Sequence, residues 1–146
     1  MRSAYDARSS TQLTRRRKMD YALSRDLDCT FNEAVERIKA LAPEHQLGVV
    51  FEIDVQNTIK TKLGEDFRPY VILGLCNPKI AKDAIELDAD FGALLPCAVA
   101  VQETDEGKAR VSFYNLPVMV EAIGNADFDQ WNAVVKAKLV DFFNAL

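Results

Sequence analysis

The residues best suited to chemistry are Cys76 and Cys97. Cys76 ends an aliphatic run, Tyr70-Val71-Ile72-Leu73-Gly74-Leu75, and is followed at once by Asn77-Pro78, a pair suited to the cap and first residue of a helix. Amide donors and the helix dipole at such a point favour an anionic thiolate. Cys97 opens the next candidate strand, and if that strand lies beside the first, the two sulfurs become neighbours. The pair would then be able to form a reversible disulfide, hold a soft metal such as copper(I) or zinc, or take a thiol-reactive ligand. Against this, both flanks are apolar, and an unpaired cysteine is among the most buried residue types and behaves as a small hydrophobe. Cys29 stands apart from both.

A second group is charged. Glu52 and Asp54 lie two residues apart, on one face of a candidate strand, and would serve a hard cation or a proton transfer. Asp54 is also placed to cap a helix, and with Lys62 and Arg68 close in sequence, a surface ion-pair network accounts for these charges without catalysis. Arg68 before Pro69-Tyr70 would present a guanidinium to a small anion if it came near the helix start at Asn77. The lone histidine, His45, follows Pro43-Glu44 in a loop and reads as solvated. No Ser-His-Asp set, HExxH, P-loop or GxGxxG occurs, and the glycines stand singly, so the familiar hydrolase, kinase and dehydrogenase constellations are missing.

The elements that position these residues follow from periodicity. A strand is expected at about Tyr21 to Leu27. Thr30 with Glu33 makes a capping box, and Phe31, Ala34, Val35, Ile38 and Leu41 then recur at helical spacing until Pro43. From Leu47 to Ile53 the period becomes two, with Leu47, Val49, Phe51 and Ile53 on one face and Glu52 on the other. Asp54 caps a short helix bearing Val55, Ile59 and Leu63, which Gly64 stops. After the Tyr70–Leu75 strand, the helix begun by Asn77-Pro78 turns Ile80, Ala81, Ala84 and Ile85 inward. Leu94 to Glu103 and Lys108 to Asn115 alternate around Thr104-Asp105-Glu106-Gly107, a hairpin, with Pro96 marking an edge or a bulge. Pro117 to Ile123 is a short apolar segment, and Asp129 to Asn144 a last helix with a stripe of Trp131, Val135, Leu139 and Phe142. A hairpin pairing two adjacent strands argues for an α+β domain, a mainly antiparallel sheet with helices gathered on one face.

Composition sets the limits. With 146 residues and 49% apolar content the chain can build one continuous core. Residues 1–18 hold six basic residues against one acidic one and little to bury, so they read as a disordered basic leader, with Met19 beginning the organised sequence. Removing that net +5 from the chain's −4 leaves about −9 on residues 19–146, an acidic surface that repels phosphate backbones, and no nucleic-acid partner is expected. No apolar stretch approaches the roughly 18 residues of a membrane span, and the odd, widely spaced cysteines suit a reducing compartment, so no membrane partner and a cytoplasmic location are expected.

Lys62-Leu63-Gly64, Phe67-Arg68-Pro69-Tyr70, Ile72-Leu73-Gly74-Leu75-Cys76-Asn77-Pro78 and Leu94-Leu95-Pro96-Cys97 occur in this order, preceded by Gly48-Val49-Val50-Phe51-Glu52-Ile53-Asp54-Val55. Together they resemble domain-of-unknown-function family 302, over roughly Tyr21 to Asn115. The resemblance implies a strongly curved antiparallel sheet with helices packed on it, and self-association, and it implies no reaction. The basic leader and the helix containing Trp131 fall outside the pattern.

The expectation is therefore a homodimeric cytoplasmic module that binds a small molecule, a metal or a cofactor not identifiable from sequence, in a groove between sheet and helices. The Leu94, Ala98 and Ala100 side is the apolar face needing a partner. The alternatives are a thiol-based redox or metal-handling protein using Cys76 and Cys97, and an enzyme of unfamiliar arrangement using Glu52, Asp54, Lys62 and Arg68.

Overall fold

The computed structural model describes residues 20–146; the basic leader read at residues 1–18 lies outside them. Five strands form one sheet: β1 (Ala22–Leu27), β2 (Gly48–Asp54), β3 (Tyr70–Cys76), β4 (Cys97–Glu103) and β5 (Ala109–Tyr114). Their spatial order is β1-β5-β4-β3-β2 and every adjacent pair is antiparallel. The helices are α1 (Phe31–Glu44), α2 (Val55–Leu63), α3 (Pro78–Leu87), α4 (Leu116–Ile123) and α5 (Asp129–Ala145). The single α+β domain expected from the sequence is thus present, with helices packed on one face of the sheet.

Local signals set most boundaries. Thr30 Oγ1 accepts from the Glu33 amide while the Glu33 carboxylate accepts from the Thr30 amide, closing the capping box of α1. The Asp54 side chain accepts from the Asn57 amide at 2.9 Å to cap α2, and Gly64 ends that helix at φ 69°, where a side chain would be strained. Asn77 Oδ1 accepts from the Lys79 and Ile80 amides, both at 3.1 Å, at the start of α3.

Alternation then builds the main core. Val71, Leu73 and Leu75 of β3, Val99 and Val101 of β4 and Val111 and Phe113 of β5 face Ala34, Val35 and Ile38 of α1 and Phe142 of α5. Arg25 on β1 ties the first strand to the last helix: its Nη2 donates to the Phe143 carbonyl at 2.6 Å and its guanidinium lies 4.7 Å from the centre of the Phe143 ring. A second, smaller core gathers Ala84 of α3, Leu116 and Val120 of α4 and Trp131 and Val135 of α5 around Phe91 and Phe128, whose rings stack at 4.7 Å.

The structure departs from the sequence reading in several places. Val50 is an extra residue in β2: Val49 pairs with Leu75 and Phe51 with Gly74, so a bulge separates them. The bulge reverses the alternation, so that Val49 follows Leu75 to the helix side while Phe51 and Ile53 lie on the opposite face with Gly74 and Ile72. The single face expected for Leu47, Val49, Phe51 and Ile53 is divided accordingly. Pro96 marks neither bulge nor edge; it leads into β4, an interior strand that begins at Cys97. Leu94 closes a 3-10 turn, Ala89–Leu94, instead of opening that strand. The apolar segment after Leu116 is a helix, α4, with Pro117 in its first turn, where no amide donor is needed. Pro43 lies within the last turn of α1, and Ile85, expected inward, is 44% exposed.

Candidate functional site

Beyond the ends of β3 and β4 the sheet does not meet the helices tightly, and a cavity of about 80 Å³ remains between Leu75, Cys76 and Cys97 on the sheet side and Ile80, Trp131 and Val135 on α3 and α5. Leu95, Tyr114, Leu116 and Phe142 complete its apolar wall. β3 runs straight into α3 through Asn77, and β4 begins after Pro96, so two chain reversals stand side by side and leave this gap between the main core and the smaller one.

The register places Cys97 opposite Leu75, with Cys76 one residue further along β3, and both cysteines border the cavity. All three cysteines are free. Burial pushes the Cys97 thiol up to about 11, with neighbouring Cys76 adding to the effect. The Tyr114 hydroxyl is also raised, first by burial and then by Cys97. Such surroundings hold Cys97 as a neutral thiol. The amide donors at the start of α3 are occupied by the Asn77 side chain, and Trp131 Nε1 donates to the Ile80 carbonyl at 2.9 Å, which anchors α5 to α3 across the cavity rim.

The charged candidates lie elsewhere. Glu52 and Asp54 do share a side of β2, bordering a polar recess beneath α1, but each has a partner: Glu52 meets Lys39 at 2.7 Å and Asp54 caps α2. Lys62 lies on exposed α2 away from both. Arg68 stands before the first residue of β3 and reaches the hairpin, with Asp105 at 3.6 Å and the Glu103 carbonyl at 3.4 Å. Asn77 follows the last residue of the same strand, whose seven residues alone span roughly 20 Å at the usual rise per residue. The anion site imagined between Arg68 and Asn77 is therefore not formed. His45 packs edge-on against Phe142, with ring centres 5.1 Å apart, and is half-buried instead of solvated. Among the described residues no three His, Cys, Asp or Glu side chains converge as a metal cage would require.

Sequence reasoning missed Lys138, which borders both the cavity and a polar groove outside it. It also missed Gln46, whose side-chain oxygen accepts from Lys138 Nζ at 3.2 Å. Nothing local marks either residue, since α5 meets the loop after α1 only in the folded chain; a lysine on the Trp131–Val135–Leu139 side of α5 was the available hint. Among the described residues no helix is long and apolar enough to cross a membrane.

Comparison with known proteins gives two findings. The crystal structure of an uncharacterized conserved protein DUF302 from Bacillus stearothermophilus superimposes with a TM-score of 0.77 at 23% identity, covering 86% of this chain and 97% of that one, which establishes the shared fold. No curated protein matches. Residues 23–146 match the family described as Domain of unknown function DUF302, and the match includes the final helix with Trp131 as well as the strands and turns that suggested the resemblance, so the chain belongs to that family.

Proposed function

We propose that the chain is a binding domain for a small molecule, which enters the cavity between Cys76, Cys97 and Trp131 with its apolar end first. The observation that carries this reading is a recess between the sheet and the helices, lined almost entirely by apolar side chains and open at one side. The expected homodimer belongs to the same reading, and its interface is the uncovered sheet face that carries Phe51, Ile53, Ala98 and Ala100. Three free thiols suit a reducing, cytoplasmic setting.

The thiol-redox alternative rests on Cys76 and Cys97 bordering one cavity. The raised Cys97 thiol speaks against it, because the thiolate is the reactive form. Trp131, the chain's single tryptophan, reports on the cavity directly. Titration of the full chain with 1-hexanol is expected to shift Trp131 emission saturably, and Cys97→Phe, which fills the recess, to abolish the shift. An emission spectrum that never saturates, or one equally responsive in Cys97→Phe, would sink the reading.

A further inference from the structure

We infer that the ligand of this cavity is a short aliphatic carboxylate, whose anionic head meets Lys138 at the mouth while its hydrocarbon end occupies the recess. The inference rests on the cavity reading above and adds the ligand's charge and size.

The charge follows from what surrounds the mouth. The apolar cavity and the polar groove outside it share Asn77, Ile80, Trp131 and Lys138, so the two adjoin along that line. Lys79 also lines the groove, but its Nζ is matched by Asp83 at 3.1 Å, and Glu86 is held by Lys82 at 2.5 Å. Asp127 borders the groove too. Lys138 is different: among the described residues it has no carboxylate partner, and its ammonium is met by the neutral side-chain oxygen of Gln46. A neutral acceptor leaves the positive charge of Lys138 without a carboxylate partner at the line where cavity and groove adjoin. Gln46 is itself held at φ 59°, a left-handed backbone that residues with a side chain rarely adopt, and among the described residues it is the one non-glycine with a positive φ. The turn that presents its side chain to Lys138 is fixed by backbone bonds from the Gln46 amide to the Pro43 carbonyl at 3.0 Å and from the Leu47 amide to the Ala42 carbonyl at 2.8 Å. The cation is therefore positioned from a rigid support on the chain opposite α5.

The size follows from volume. A cavity of about 80 Å³ has room for roughly three methylene-sized groups, taking a water's share of liquid volume, about 30 Å³, as the unit. A tail of four to six carbons, partly in the mouth, fills it. An ammonium head in place of the carboxylate would face Lys138 and be repelled.

Hexanoate, 1-hexanol and hexylammonium differ only in the head, and each is titrated into the full chain with Trp131 emission as the readout. The expected order is hexanoate at least tenfold tighter than hexanol, and hexylammonium weakest. Lys138→Met keeps the methylene stem and removes the charge; it is expected to bring hexanoate down to the level of hexanol and leave hexanol unchanged. If hexanol and hexanoate bind alike, or if Lys138→Met leaves hexanoate binding as it was, the head-group inference is overturned while the cavity reading stands. If neither ligand binds, both fall together.

Discussion

Leu73 and Ile72 are adjacent in β3, yet Leu73 is fully enclosed beneath the helices while Ile72 is only half-buried on the other face of the sheet. The same contrast runs across the three central strands. The covered face carries branched and aromatic side chains, Val71, Leu75, Val99, Val101, Val111 and Phe113, that interlock with α1 and α5. The open face carries small ones, Gly74, Ala98, Ala100 and Ser112, with Phe51 and Ile53 at one side and a polar strip at the other, where Ser24 donates to Ser112 at 2.9 Å and Arg110 pairs with Asp26 at 2.7 Å. The covered face is finished within one chain. The open face is apolar only toward β2, an edge strand whose residues are all exposed, and it is the surface on which the proposed second copy would lie.

The sharpest test of this contrast is the pair Leu73→Ala and Ile72→Ala. Leu73→Ala empties a buried site and is expected to cost about 2–5 kcal/mol in chemical denaturation, whereas Ile72→Ala costs about 1 kcal/mol or less in the monomer. Equal losses would break the distinction between the faces.

The cysteines extend the contrast to pH. Burial raises the Cys97 thiol from 9.0 to about 11 in the folded state, so the fold prefers the protonated thiol. Its contribution is fully present below the unfolded value near 9 and is lost as pH rises through 11, a loss of about 2–3 kcal/mol over that window. The difference in stability between the native chain and Cys97→Ala, followed from pH 8 to pH 11, is expected to shrink by that amount; a constant difference would show the thiol to be solvated.

Gly74 tests the open face itself. A Cβ there would lie 2.5–2.8 Å from three ring carbons of Phe51, so the ring rests directly on the glycine. Gly74→Ala is expected to displace the ring and cost about 1–3 kcal/mol, and Phe51→Leu in the same chain to restore part of it. Additive losses in the double variant would show that the two residues are not coupled.

A smaller effect on stability is expected from Phe51→Glu, about 1–2 kcal/mol for the monomer, because the ring is 37% exposed but gives up its contact with Gly74. Its effect on assembly is the larger one: sedimentation of the native chain should show a dimer and of Phe51→Glu a monomer. A native chain that sediments as a monomer removes the open face as an interface.

Much of this architecture was legible because its signals are local. Thr30 with Glu33, Asp54 with Gly64, and Asn77 with Pro78 each satisfy backbone groups within a few residues, and the sequence carries those pairs openly. The bulge at Val50 was not legible, since two valines in succession fit either register and only pairing with β3 decides. α4 was hidden because Leu116-Pro117-Val118-Met119-Val120 is apolar on every side and shows no period. Of the site, Cys76 and Cys97 were found through the adjacency of β3 and β4, while Lys138 and Gln46, 92 residues apart, meet only through tertiary structure.

The clasp between Arg25 and Phe143 bears on how the chain is made. β1 is the first of the five strands to leave the ribosome, but its pairing partner β5 and the helix carrying Phe143 follow only after β2, β3 and β4. During translation β1 has no place to dock, and the main core cannot close until α5 has emerged, so native structure is gained late and nearly at once. A chain stalled before Phe143 would hold all five strands but lack the clasp on Arg25, which makes α5 the element that ties β1 to the finished core.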